Sequence, residues 1–263
     1  MPMKYSHLLK RSGFTLIELL VVILIIAVLA GLIFPVMGKV KLRSLETRTT
    51  SNLRQIGTAM SSYSNDHEGM LPGPLTVEQY PTFGLNESRD KGSLARLLAT
   101  YIGLSERKSA EKDQASATGV LTAPVINLPE NVKLDDIAGY IMNMELVHDY
   151  EQPAWGDPSG NEEKQPLTRA ALSAWRDTSP DALSKDTTVN LTRKWAMRHT
   201  DKIDADKLAL SGDWVEKLPK EPVFGYDENK PKEPGTYVTL FFDMHVEPAY
   251  KPVYNDQQKE PAK

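Results

Sequence analysis

The sequence predicts an α+β protein. One long N-terminal helix, apolar all round in its first half and amphipathic in its second, packs on a small antiparallel β-sheet head. Three observations predict it. The run from Leu19 to Phe34 is unbroken apolar. Apolar residues then recur at steps of three and four as far as Tyr63, the period of one helix face. Beyond residue 70, turn-rich stretches alternate with short β-prone runs, of which Tyr237-Val238-Thr239-Leu240-Phe241-Phe242-Asp243 is the clearest. The chain has 263 residues, 40% hydrophobic and 25% charged, enough for one globular domain besides the N-terminal stretch.

Residues 1–13 read as a leader peptide. They carry Lys4, Lys10 and Arg11 and no acid, and they end in Ser12-Gly13. A secretory signal is cut after its apolar region. Here the small residues come before it, so a cut after Gly13 leaves the apolar helix on the mature protein. Residues 14–36 are the candidate transmembrane segment. With Phe14, Leu16 and Ile17 ahead of the run, it reaches the roughly 20 apolar residues that cross a bilayer. The basic flank is predicted to stay cytoplasmic, which puts the C-terminal head outside. Glu18 interrupts the pattern, since an ionisable group at membrane depth costs about 2.5 kcal/mol or more without a partner. Pro35 removes a backbone donor and is predicted to kink or loosen the helix over 30–34, where Gly31 softens it further. The alternative reading is an uncleaved single-pass anchor with an incidental Glu.

Residues 37–69 continue the helix in amphipathic form. Leu42, Leu45, Leu53, Ile56, Met60 and Tyr63 line one face, with Thr49 in the gap. Lys39, Lys41, Arg43, Glu46, Arg48, Asn52, Arg54 and Gln55 make the solvated side. Gly57 costs about 1 kcal/mol inside a helix, and Gly69 is the predicted cap. From Phe14 to Asp66 such a helix is about 80 Å long.

The head is assigned to residues 70–250. Residues 71–93 read as loop, 94–102 as a short helix and 105–119 as a mobile polar loop. Strands are predicted over 120–123, 138–143 and 237–243, the last with Val238, Leu240 and Phe242 on one face. Residues 151–166 read as turns and 167–175 as a short helix or turn. Residues 189–198 suit strand and helix equally, and 251–263 read as a flexible tail. Trp155, Trp175, Trp195 and Trp214 are almost evenly spaced, but their neighbours do not repeat, so they read as core residues.

Little in the head suggests chemistry. There is no nucleophile elbow, phosphate-binding Gly loop or zinc spacing. Asp243-x-His245 offers two ligands on one side of a strand, without an evident third. Asp201, Asp204 and Asp206 weakly suggest a calcium loop, but the spacing is not that of an EF-hand, and a solvated charged loop is the competing reading. No metal site and no cofactor is expected, with calcium the one candidate. The net charge of −4 becomes about −7 when the leader's three cations are removed, which argues against a nucleic-acid partner.

Gly13-Phe14-Thr15-Leu16-Ile17-Glu18 resembles the class III signal of type IV prepilins and type II secretion pseudopilins, so the predicted fold is pilin-like. The resemblance implies that a prepilin peptidase cuts after Gly13 and methylates Phe14, that Glu18 is the assembly carboxylate, and that Pro35 is the family's helix-kinking proline. The absence of cysteine excludes the disulfide-closed loop of many type IVa pilins. Asn52-Leu53-Arg54-Gln55-Ile56-Gly57 and the following Tyr63 to Pro72 stretch resemble a branch of G-like prepilin proteins common in planctomycetes and verrucomicrobia. Residues 218–225 and 238–247 are similar to that branch's closing hairpin, with Phe224 in place of a His and Met244 in place of a Gly. The second departure predicts a different turn geometry, because Gly supplies positive φ cheaply.

The implied function is a structural subunit of a type II secretion pseudopilus or type IV pilus-like filament, not an enzyme. The implied partners are the peptidase, other pilin or pseudopilin subunits, and an inner-membrane assembly platform. The implied location is the bacterial inner membrane, single-pass, with the N-terminus cytoplasmic and the head periplasmic, and then the filament. The alternative is a membrane-anchored binding protein or enzyme using a prepilin-like signal; a convergent catalytic set would favour it.

Overall fold

The computed structural model describes residues 15–84, 90–104, 116–117, 119–124, 137–144, 147–148, 152–158, 164–175, 188–207, 215–218 and 236–250. The chain divides into two compact units, one through Arg43 and one from Ser44 onward. It is an α+β, pilin-like fold: helix α1, Leu16–Asp66, comes first and a five-stranded antiparallel sheet follows.

In the first unit, α1 exposes its apolar side chains on every side, from Leu16 at 88% and Ile17 at 70% through Leu32 at 68%. Among the described residues no helix is long and apolar enough to cross a membrane.

The second unit holds the core. Its part of α1 buries Thr49, Leu53, Ile56, Ala59 and Met60, while Leu45 and Tyr63 are partly buried against the same cluster. This is the predicted stripe, except that Leu42 falls in the first unit and stays 39% exposed. The helix ends in the turn that holds the predicted cap, Gly69. Glu68 takes the left-handed position at φ 55, and the Gly69 N–H, at φ 83, reaches back to the Ser64 carbonyl at 2.8 Å. That bond closes the turn and satisfies one of the orphan carbonyls.

The main sheet has the order β1–β4–β7–β8–β9, with β1 Glu78–Gln79, β4 Tyr140–Met142, β7 Trp195–His199, β8 Thr236–Phe241 and β9 Val246–Tyr250. Two small pairs stand apart: β2 Thr82–Phe83 with β3 Ser116–Ala117, and β5 Val147–His148 with β6 Gln152–Pro153. Three short helices complete the described residues, α2 Leu94–Leu97, α3 Arg169–Ala174 and α4 Lys202–Lys207, together with single 3₁₀ turns at Thr100–Ile102 and Val215–Lys217. Ser93 and Thr168 cap α2 and α3 by accepting from the N–H three residues on, which supplies donors those helix ends lack.

Alternation along β8 splits the sheet into two faces. Val238 and Leu240, with Phe242 just beyond, join Tyr140, Met142, Ala196 and Met197 in the core. Tyr237, Thr239 and Phe241 are also buried but lie on the other side, with Arg198 stacked over Trp195 at 4.6 Å and Tyr237 at 4.4 Å. The Trp readings hold where described: Trp155 is buried against Phe242 at 5.0 Å, and Trp175 packs partly buried on the core.

Several expectations are corrected. Residues 71–93 are not wholly loop, since β1 and β2 lie there. Residues 120–123 form a turn and bends rather than a strand, and the Asn52 Nδ2 donates to the Gly119 and Thr122 carbonyls there at 3.4 and 3.2 Å. The open choice over 189–198 resolves to a turn followed by β7. Met244, in the turn between β8 and β9, sits at φ 72, the left-handed conformation that glycine adopts at little cost. The predicted loop over 105–119 falls mostly outside the described residues, and Phe224 and the tail 251–263 wholly so.

Candidate functional site

The N-terminal turn of α1 is where the sequence-predicted site lies. Gly13 and Phe14 precede the described residues. Thr15 and Glu18 are described and form a reciprocal cap. The Glu18 Oε2 accepts from the Thr15 backbone N–H and from its hydroxyl, both at 2.8 Å, while the Thr15 Oγ1 accepts from the Glu18 N–H at 3.3 Å. This is the capping-box geometry, with Thr15 at the N-cap and Glu18 three residues on. It satisfies two backbone donors that the helix start leaves open. The carboxylate also lies at the positive end of the helix dipole.

Glu18 is thus engaged within its own turn, surrounded by the exposed apolar side chains of Leu16, Ile17, Leu19 and Leu20. The carboxylate is exposed, and the partners it has among the described residues lie within its own turn. Thr15 was not singled out by the sequence reading, although a Thr three residues before a Glu at the head of an apolar run is the sequence signature of this cap. Pro35 lies within α1.

The head's candidates are placed as follows. Asp243 and His245 do meet, but across the turn after β8 and not along a strand. The His245 Nδ1 lies 2.5 Å from the Asp243 Oδ1, its Nε2 lies 3.7 Å from the Glu247 Oε1, and its ring stacks on Phe241 at 4.4 Å. The Asp243 oxygen also accepts from the His245 backbone N–H at 3.1 Å, so the pair serves as an Asx-type lock on the turn. Asp201 is buried and accepts from the Tyr237 hydroxyl, and Lys202–Lys207 is helical. The suggested calcium loop over 201–206 is therefore corrected: its first carboxylate is spent inside the head. No group of three or more His, Cys, Asp or Glu that could hold a metal occurs among the described residues.

His199 lies beside this cluster, fully buried, with its ring 5.0 Å from that of Tyr237. Burial pushes its imidazole down to about 3, the adjacent Arg198 charge adds to the fall, and Asp201 opposes it. The ring is neutral at ordinary pH and serves packing.

Residues 8–34 match the family model for the prokaryotic N-terminal methylation motif. No curated protein and no solved structure matches the chain. The match covers Gly13, Phe14, Thr15 and Glu18 and stops one residue short of Pro35. The chain therefore carries the motif of pilin-type, membrane-anchored precursors, consistent with the type IV prepilin and pseudopilin family.

Proposed function

We propose that this protein is a structural subunit of a type IV pilus-like filament or type II secretion pseudopilus. The N-terminal methylation motif, with Glu18 set in an exposed apolar helix, carries the reading. A prepilin peptidase cuts after Gly13 and methylates Phe14. The apolar run through Phe34 holds the precursor in the inner membrane with its leader cytoplasmic and its head periplasmic. Neighbouring subunits then cover each other's apolar helices, which supplies the burial that residues 16–32 lack alone. Pro35 loosens the last turn of that run, over 30–34, so that it can adjust to its neighbours.

The experiment is an intact-mass measurement on protein extracted from membranes of the native host. The expected mass is that of a chain beginning at Phe14 and carrying one added methyl group. A mass matching a chain that still begins at Met1 overturns the reading.

A further inference from the structure

The leader is not the only basic flank of the apolar run. Lys39-Val40-Lys41-Leu42-Arg43 follows its other end after four residues, and the first carboxylate after Glu18 is Glu46. We propose that this stretch is a lipid-headgroup collar, binding phosphates of anionic phospholipid in the leaflet opposite the leader and fixing the depth of the helix before the filament grows. The proposal rests on the membrane-helix reading above.

Three observations carry it. The first is reach. Lys41 and Arg43 lie about 10 and 13 Å of helix rise beyond Phe34. The headgroup layer is about 5–7 Å thick on each side, and long Lys and Arg side chains bring their charged ends back several ångströms along the helix. The second is direction. Residues two apart on an α-helix differ by about 200°, so Lys41 and Arg43, both exposed, project to opposite sides. A lipid layer encircles a helix, whereas a docked protein covers one side of it. The third is interleaving. Val40 is 60% exposed, Leu42 39% and Met37 58%, so apolar side chains alternate with the cations as they do at a membrane boundary.

Processing sharpens the asymmetry. Before cleavage the leader's Lys4, Lys10 and Arg11 balance the collar. Afterwards the Phe14 α-amino group is the one cation left at that end against three in the collar, so the mature subunit is gripped mainly from the outer leaflet.

The test uses the full chain, which has no cysteine, with a single fluorophore placed through Met37→Cys. It is reconstituted in phosphatidylcholine vesicles containing some phosphatidylglycerol, with a spin-label quencher on one lipid or the other. Insertion is checked by a protease-protected fragment. The expected result is stronger quenching by phosphatidylglycerol at equal quencher content. Each cation near an anionic surface contributes at most about a fivefold preference at low salt. Lys39→Gln, Lys41→Gln and Arg43→Gln together should abolish most of it, Lys39→Arg with Lys41→Arg should keep it, and high salt should weaken it. An inserted chain that shows no lipid preference overturns the collar alone. A Gln variant that keeps the lipid preference but loses crosslinked oligomers also overturns it, and assigns the cations to an acidic surface of another copy. A chain with no protected fragment overturns the membrane-helix reading first, and the collar with it.

Discussion

Gly57 offers the sharpest test of how the head is built on its helix. A helix-interior glycine normally gains about 1 kcal/mol on replacement by alanine, because alanine loses less backbone freedom. Here a methyl group has nowhere to go. A Cβ on residue 57 comes within 2.9 Å of the Leu240 Cδ1, 3.1 Å of the Met244 carbonyl oxygen and 3.6 Å of the Met244 Cβ. Leu240 is fully buried, so its methyl moves only by displacing the core. The Met244 oxygen belongs to a turn fixed by the Met244 N–H on the Phe241 carbonyl at 2.9 Å and the Phe241 N–H on the His245 carbonyl at 3.0 Å.

Overpacking of this kind costs about 1–3 kcal/mol, so it exceeds the propensity gain, and Gly57→Ala should destabilise the head by about 1 kcal/mol net. For a domain of this size that lowers the melting temperature by about 2–4 °C. Gly57→Val, bulkier and β-branched, should lower it further. The assay is thermal unfolding of the full chain in detergent micelles followed by near-ultraviolet circular dichroism, which reports the buried Trp155 and not the apolar half of α1. Ser44→Ala, exposed on the same helix, is the control for propensity. A Gly57→Ala melt that rises as much as the Ser44→Ala melt refutes the close approach of turn and helix.

Other outcomes follow from the same contacts. Asn52→Ala removes the two donors that hold the 119–122 bend and should cost about 1–2 kcal/mol in urea unfolding. Because the His199 pKa falls from 6.5 to about 3 on folding, the unfolded chain binds the extra proton between those values. Stability is full above about pH 6.5 and declines as pH falls toward 3, by about 2 kcal/mol at pH 5. His199→Gln should flatten that part of a stability-against-pH curve. A chain lacking residues 1–40 should unfold cooperatively in solution, since the core residues of α1 begin at Leu45 and Thr49; aggregation with a broad melt shows instead that the head needs its neighbours.

The sequence made α1 legible because periodicity is a property of many residues at once. It made β8 legible because the run from Tyr237 to Phe242 is rich in β-branched and aromatic residues, and the face named in advance, Val238, Leu240 and Phe242, joins the core cluster. It hid what depends on single side chains. β1 is two residues long, too short for alternation to register, and is held beside a loop by the buried Gln79, which donates to the Thr76 and Gly92 carbonyls and accepts from the Leu94 N–H. The run 120–123 has the composition of a strand but turns instead, and its Thr122 carbonyl accepts from Asn52, seventy positions away. Met244 takes a left-handed φ that its residue type disfavours, in a turn closed by the Met244 N–H on the Phe241 carbonyl and the Phe241 N–H on the His245 carbonyl.

The cap at Glu18 changes how its role must be tested. Glu18→Ala removes the charge and the cap together, so a failure to assemble does not say which was needed. Glutamine also completes a capping box, and Glu18→Gln keeps an oxygen for the Thr15 N–H while removing the charge. The two accounts then part. If Glu18 acts by pairing with the positive α-amino group of Phe14 on a neighbouring subunit, Glu18→Gln should be cut and methylated normally yet drop out of sheared filaments. If the carboxylate only closes its own helix, the variant should assemble as the parent does. Thr15→Val supplies the other arm. It takes away one of the two bonds to Oε2 and costs about 1 kcal/mol of capping, but leaves the charge in place and freer to turn to a neighbour. The pairing account predicts filaments from Thr15→Val and none from Glu18→Gln. The opposite pattern, with Glu18→Gln assembling and Thr15→Val failing, assigns the residue to the cap and removes charge pairing from the mechanism of assembly.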